Sequence, residues 1–130
     1  MKRESEVFIV DDDEDDRLFI EETIVRNCTN CKLQSFEDGG TFLSQIGQAR
    51  TNPTLIVLDL NMPGIDGFEV LTNLKANQAM KDVPVIIFTT SSNEVDKDRA
   101  NTLGAALFIT KPQRFSEYNN IFQKYAGRFN

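Results

Sequence analysis

The stretch LIVLDLNMPGIDGFEVL, residues 55–71, puts a strand, a carboxylate and a helix in one line. Leu55 to Leu58 is continuously apolar, with no alternation, as expected of a strand covered on both faces. Asp59 follows at once. Phe68, Leu71 and Leu74 then recur at helical spacing, so one apolar face is offered to a neighbour. A buried strand passing into an amphipathic helix within so short a span is the unit from which parallel sheets are built.

Working outward, four further apolar runs read as strands: Val7 to Val10, Leu33 to Phe36, Val83 to Phe88 and Ala106 to Ile109. The run at Leu33 is the weakest signal, because only its two ends are apolar. Helical segments alternate with these runs. Phe19, Ile20, Thr23 and Ile24 form a face on the first, and Phe42, Leu43 and Ile46 on the second. The segment Asn93 to Leu103 has a narrow stripe of Val95, Ala100 and Leu103 among charged residues, which suits either a partner-facing element or a solvated surface helix. The last helix carries Phe115, Tyr118, Phe122, Tyr125 and Phe129 on one side, most of it read as packing against the sheet, with Phe129 as the exception. A β-α pattern repeated five times predicts an α/β, flavodoxin-like (βα)5 three-layer sandwich, its parallel sheet ordered 2-1-3-4-5. Asp13, with Asp16 three residues on, reads as an acidic capping arrangement for the first helix. Gly39-Gly40 reads as the turn before the second helix, Pro53 as a break before the third strand, and Gly104 as a helix stop. No linker or repeat interrupts residues 1–130, so a single domain without a separate output domain is expected.

Composition narrows the function. The chain is 40% hydrophobic and 26% charged, ordinary values for a soluble domain, and no apolar run approaches the roughly 20 residues of a membrane span. The N-terminus has no signal-type cleavage region, which favours the cytoplasm. A net charge of −6 argues against direct nucleic-acid binding, which rests on Lys and Arg neutralising phosphates. The chain has no histidine, so Ser-His-Asp and Cys-His catalysis, His metal ligation and an internal phosphohistidine are excluded. Cys28 and Cys31 are the only cysteines, too few ligands for zinc and misplaced for a thioredoxin-type motif, and they read as two incidental reduced thiols.

In open α/β sheets ligands bind beyond the carboxyl ends of the strands, so the polar residues that follow each apolar run matter most. Asp11 and Asp12 follow the first run, Asp59 the third, Thr89 and Thr90 the fourth, and Thr110-Lys111-Pro112 the fifth. Helix capping by acids is worth only about 0.3–1 kcal/mol per charge. Two carboxylates roughly 5 Å apart repel by about 3 kcal/mol at an effective dielectric near 20. Capping does not offset that repulsion, whereas a hard divalent cation does, and oxygen-only ligands point to Mg²⁺ or Mn²⁺. Asp13 to Asp16 read as a solvated acidic helix start and not as further ligands. A carboxylate beside a cation and a lysine can attack phosphorus and form an acyl phosphate. The Thr89 hydroxyl would then bond the added group, whose charge of roughly −1.5 to −2 would draw that loop inward.

The strings VFIVDDD, LIVLDLNMPGIDGFEVL, VPVIIFTTSS and ALFITKP, in that order, resemble the receiver domain of two-component response regulators over nearly the whole chain. The resemblance implies that Asp59 is the phosphoacceptor. It implies a Mg²⁺ site in which Asp12 and Asp59 ligate directly, Asp11 acts through water and Asn61 offers its main-chain carbonyl. Thr89 corresponds to the switch hydroxyl, Lys111 to the lysine that contacts the phosphoryl group and Phe108 to a rotameric aromatic switch. Lys111-Pro112 falls where the family often has a cis peptide, and Pro63 and Gly67 fit the turn after the acceptor. Gln113 departs from the pattern, which frequently has an apolar or aromatic residue there. The Thr-Thr-Ser-Ser run and Asp16-Arg17 are similar to small single-domain regulators that partner phytochrome-type histidine kinases.

The implied partners are a sensor histidine kinase or histidine phosphotransfer protein as donor, and a downstream protein target. The implied target surface contains Glu94, Asp98, Phe108 and Asn119, and dimerisation through the same face stays open. Self-phosphorylation and self-dephosphorylation at Asp59 are the only chemistry expected, with no external turnover. Two other classes compete. An aspartate-nucleophile phosphatase is suggested by Asp11-x-Asp13, but Asp15 stands where that motif has Thr or Val, and the chain lacks room for its cap. A flavin module on this topology would need a phosphate-friendly first loop, and this loop is strongly acidic. A receiver-like scaffold independent of phosphorylation is the remaining alternative.

Overall fold

The computed structural model describes residues 5–46 and 53–124. The strands are β1 (Ser5–Val10), β2 (Cys31–Phe36), β3 (Leu55–Leu58), β4 (Val85–Thr89) and β5 (Leu107–Thr110). The helices are α1 (Glu14–Asn27), α2 (Gly39–Ile46), α3 (Gly67–Ala76), α4 (Glu94–Thr102) and α5 (Tyr118–Lys124), the last preceded by a 3₁₀ turn over Phe115–Glu117. All strand pairs are parallel, in the order β2-β1-β3-β4-β5. This is the expected flavodoxin-like sheet.

Alternation along each strand splits the core in two. Val7, Ile9, Leu55, Val57, Ile86 and Phe88 pack with Ile20 and Ile24 of α1 and with Tyr118 and Phe122 of α5. Phe8, Val10, Ile56, Leu58, Val85 and Ile87 pack with α2, α3 and Ala100 of α4. The three central strands β1, β3 and β4 are almost wholly buried, which is why they read as continuous apolar runs. β2 is an edge strand with alternating exposure, so its sequence CKLQSF gave the weakest signal.

Local chemistry sets the boundaries. The Asp13 carboxylate caps α1 by accepting from the Asp16 N–H at 3.0 Å. The reciprocal half of a capping box is absent, because the Asp13 N–H donates instead to Asp11 Oδ1 at 2.9 Å. Gly39 and Gly40 are the first residues of α2 and not a turn before it, since Asp38 accepts from the Thr41 N–H at 2.7 Å and starts the helix earlier. β4 begins at Val85, two residues later than expected, because Pro84 has no N–H to give to a ladder. Gly104 ends α4 with φ +102°, a conformation open to glycine. Ala100 is the only buried residue of α4, and Val95 is 71% exposed, so this helix is the least anchored of the five.

Two expectations are corrected. Cys28 and Cys31 are joined in a disulfide; their Cα atoms lie 5.8 Å apart, inside the usual range for such a bond, because the chain reverses tightly between α1 and β2. The Lys111-Pro112 peptide is trans, the intrinsically favoured isomer. Among the described members of the aromatic stripe, Phe115 is exposed, at 43%; it lies in the 3₁₀ turn and stacks on Phe19 with ring centroids 4.0 Å apart. Tyr125 and Phe129 lie outside the described residues.

Candidate active site

β1 is the topological switch point, since the chain leaves it to β2 on one side and its other neighbour is β3. Ladder bonds continue one residue past the strands and fix where the first polar side chains start. The Asp11 N–H donates to Phe36 O at 3.1 Å, Asp59 N–H to Val10 O at 3.0 Å and Lys111 N–H to Thr89 O at 2.6 Å. Asp11, Asp59, Thr89 and Lys111 are all buried, each 8% exposed or less, while Asp12 is exposed at the rim.

The carboxylate oxygens of Asp11, Asp12 and Asp59 lie within 4.8 Å of one another. Three convergent hard oxygen donors fit a Mg²⁺ or Mn²⁺ ion. The Lys111 ammonium reaches Asp11 Oδ2 at 2.7 Å and Asp59 Oδ2 at 3.2 Å. The Asn61 N–H donates to Asp59 Oδ1 at 3.3 Å, and its Nδ2 donates to Thr89 Oγ1, also at 3.3 Å. Arg17 closes the back of the cluster by donating to the Asp11 carbonyl at 2.7 Å. The residues expected from sequence are therefore brought together, with one exception. Phe108 faces Ile87 across the β4–β5 pair and is half-buried against the α2/α3 side of the core, away from the acids.

Burial pushes the Asp11 carboxyl up to about 6, against the pull of Lys111 and of the Asp13 N–H. Burial alone would lower the Lys111 ammonium. Its hydrogen bonds to Asp11 and Asp16 and the charges of Asp11 and Asp59 outweigh that effect and hold it above the ordinary lysine range. With one ammonium among these acids the cluster keeps net negative charge, which a divalent cation would relieve.

Two participants escaped the sequence reading. Asp16 Oδ2 is 2.7 Å from Lys111 Nζ, so Asp16 is not simply a solvated member of the acidic run. Its other oxygen accepts from the Tyr118 hydroxyl at 3.3 Å. The available signal was spacing: Asp16 is four residues after Asp12, one turn along the helix that Asp13 caps. A cleft of about 750 Å³ opens over Lys111, between Asp16, Thr90, Ser92, Gln113 and Phe115. Gln113 thus lines an open cleft and is exposed, where an apolar side chain is not required.

Burial, followed by the charge of Asp16, raises the Tyr118 phenol above its ordinary value of 10. The folded state holds this proton more tightly than the unfolded chain, so the stabilisation is complete below pH 10 and is lost as pH rises beyond it. In an alkaline absorbance titration Tyr118 is expected to ionise only as the fold is lost. A Tyr118→Phe variant that retains the whole late phase would contradict this.

Fold and site together define a doubly wound α/β domain whose switch-point edge carries a cation-ready carboxylate cluster with its own lysine. The sequence profile of the response regulator receiver domain matches residues 7–123, and the chain belongs to that family. Its members are phosphoacceptor switches of two-component signal transduction, and this is the function class of the chain. Response regulator Rcp1 of Synechocystis is 32% identical over 122 residues, covering 90% of this chain and 83% of Rcp1. The two-component response regulator ARR17 of Arabidopsis thaliana is 29% identical over 131 residues, covering 93% and 84%. The structure of the phosphorylated cyanobacterial phytochrome response regulator RcpA superposes with a TM-score of 0.91 at 28% identity, covering 98% of this chain and 94% of RcpA. The Mn²⁺-bound form of Rcp1 gives a TM-score of 0.83 at 29% identity, covering 94% of each chain.

Proposed function

We propose that Asp59 is the phosphoacceptor, and that Asp11, Asp12, Asp59 and the main-chain carbonyl of Asn61 hold the Mg²⁺ or Mn²⁺ that the transfer requires. The observation that carries this reading is the setting of Asp59. It is buried at the carboxyl end of β3, has Lys111 on one oxygen and the Asn61 N–H on the other, and shares an oxygen cluster with Asp11 and Asp12. A Mn²⁺-bound form is described for the relative Rcp1, and a phosphorylated form for RcpA.

In the transfer an Asp59 oxygen attacks the phosphorus of a phosphohistidine, the P–N bond breaks and the imidazole leaves with the electron pair. The chain has no histidine, so the donor comes from a histidine kinase, a phosphotransfer protein or a small acyl phosphate. Asp11, Asp12, Asp59 and the Asn61 carbonyl would hold a divalent cation, which would neutralise charge on the transferring group. Lys111 meets that charge on the phosphoryl oxygens, and Thr89 donates its hydroxyl to one of them. Moving Thr89 breaks its hydrogen bond from Asn61 and shifts the loop that starts α4, the most weakly anchored helix. Phe108 next to this helix then changes rotamer, and the surface around Glu94 and Asp98, both exposed, presents itself to a protein target. Asn119 contributes less there than its sequence position implies, because it accepts from Asn27 Nδ2 at 3.1 Å on the α1 side.

Acetyl phosphate with Mg²⁺ is expected to label the protein once, and Asp59→Asn to abolish labelling while leaving the fold intact. Undiminished labelling of that variant removes the assignment. The likeness to Rcp1 and RcpA supports a phytochrome-type histidine kinase as donor. Equal transfer rates from such kinases and from unrelated ones would reject that donor. Among the described residues no helix is long and apolar enough to cross a membrane. We place the chain in the cytoplasm with its donor, where reducing conditions would open the Cys28–Cys31 bond.

A further inference from the structure

Lys111 has three N–H donors, and the structure shows where each goes. Two go to Asp11 and Asp59, members of the oxygen cluster that fits a cation. The third goes to Asp16, which is outside that cluster, and at 2.7 Å it is as short as the contact to Asp11. Asp16 is itself held on both sides. Its N–H is bound by the Asp13 cap, and its free carboxylate oxygen takes the hydroxyl of Tyr118. Tyr118 is 2% exposed and wedged edge-on against Phe88, the residue before Thr89, at 5.1 Å between ring centroids. Asp16 therefore ties Lys111 to the first turn of α5.

We infer that Asp16 is a positioning residue that holds Lys111 in the unmodified state and competes with the phosphoryl group for it. This rests on the assignment of Asp59 as acceptor. When a phosphoryl group is present, Lys111 must leave at least one of its three carboxylates to reach it. Asp11 and Asp59 remain beside the ammonium whatever happens, because both face the same ion cluster. Asp16 is on the far side of the ammonium, at the start of α1, and is the partner that is given up. Its remaining hydrogen-bond donor is then Tyr118, so the state of the acceptor is felt at α5 by a route separate from Thr89.

Competition gives a signature that a merely structural carboxylate would not. Removing the Asp16 charge weakens cation binding slightly, since one negative charge near the cluster is lost. It tightens the binding of a phosphoryl mimic, since Lys111 is released and a like charge is gone. The probes are Mg²⁺ alone, followed by isothermal titration, and then beryllofluoride at saturating Mg²⁺, followed by the amide spectrum. In Asp16→Asn we expect the Mg²⁺ dissociation constant to rise about twofold to fivefold and that of beryllofluoride to fall about fivefold to tenfold, magnitudes in line with losing one charge-assisted hydrogen bond. Tyr118→Phe, which removes only the group that orients Asp16, should shift beryllofluoride in the same direction by about twofold and leave Mg²⁺ unchanged. If Asp16→Asn weakens both ligands, or leaves beryllofluoride binding unchanged in a folded protein, the inference is wrong while the acceptor assignment stands. If the unsubstituted protein takes up no beryllofluoride at all, both fall together.

Discussion

Lys111→Met is expected to destabilise the metal-free protein by about 3–5 kcal/mol, the usual result of removing one partner from a buried ion pair. Lys111 and its partners Asp11 and Asp59 are nearly sealed from water, with side-chain exposures of 3%, 2% and 7%. Methionine fills the stem of the lysine but leaves these carboxylates facing each other with nothing between them. Arg17 does not replace the ammonium, because its guanidinium is spent on the Asp11 carbonyl. The folded protein has one way to relax, which is to protonate Asp11, already pushed up to about 6 with Lys111 in place. The loss should therefore be smaller at pH 5 than at pH 8. Millimolar Mg²⁺ should restore most of the stability, since a cation among Asp11, Asp12 and Asp59 replaces the missing charge and binding to the folded state alone adds stability by mass action. The same variant should accept a phosphoryl group about 10- to 100-fold more slowly at saturating Mg²⁺, because no ammonium meets the charge on the transferring oxygens. Urea unfolding with and without chelator decides the matter. A loss below about 1 kcal/mol in chelator would mean that the lysine does not neutralise the cluster.

The third carboxylate on Lys111 is Asp16, and Asp16 shows where sequence reading stops. The strands that matter most for the site were legible because burial on both faces leaves an unbroken apolar run; β3 was bounded correctly at Leu55 and Leu58 for that reason. The polar residue after each run was then a readable position, which is how Asp11, Asp59 and Lys111 were found. Asp16 was hidden by its neighbours. In a run of six acids nothing in the residue types separates the cap (Asp13), the exposed members (Asp12, Glu14 and Asp15) and the one that turns inward to a lysine 95 positions away. Helical register counted from the legible Asp13 cap does separate them, but it does not say that the lysine following β5 comes to meet Asp16. The Cys28–Cys31 bond was missed for a related reason, since spacing alone does not say that the chain between them reverses tightly enough to bring the sulfurs together. Asn119 was placed on the target surface by family resemblance, which carries no information about its bond to Asn27 Nδ2 on the α1 side.

The second large effect is expected at a residue with no chemistry of its own. Gly67 is the first residue of α3, and a Cβ placed on it would stand 2.6 Å from the Leu60 Cα and collide with the Asp59 carbonyl oxygen. The Gly67 N–H donates to Leu60 O at 3.0 Å, so the helix start is pinned to the segment that carries the acceptor. Helix propensity alone favours Gly67→Ala by roughly 0.8–1.0 kcal/mol. The contacts are all with the backbone of Asp59 and Leu60, so no side-chain rotation can relieve them. Overpacking of this kind costs about 1–3 kcal/mol and occasionally more, so the clash outweighs the propensity gain. A net loss of about 1–2 kcal/mol is expected, seen as a fall of about 0.5–1 M in the urea midpoint for a domain of this size. The loss would carry a functional mark as well. To make room, the chain from Asp59 to Leu60 must move away from α3, which carries the Asp59 carboxylate off Lys111 and spreads the oxygen cluster with Asp11 and Asp12. Mg²⁺ affinity and labelling should therefore both fall in Gly67→Ala, unlike the opposed changes expected of Asp16→Asn. An alanine variant with unchanged urea midpoint and unchanged Mg²⁺ affinity would show that the junction of β3 and α3 yields without disturbing the site, and that the position of Asp59 is set by the ladder bond to Val10 alone.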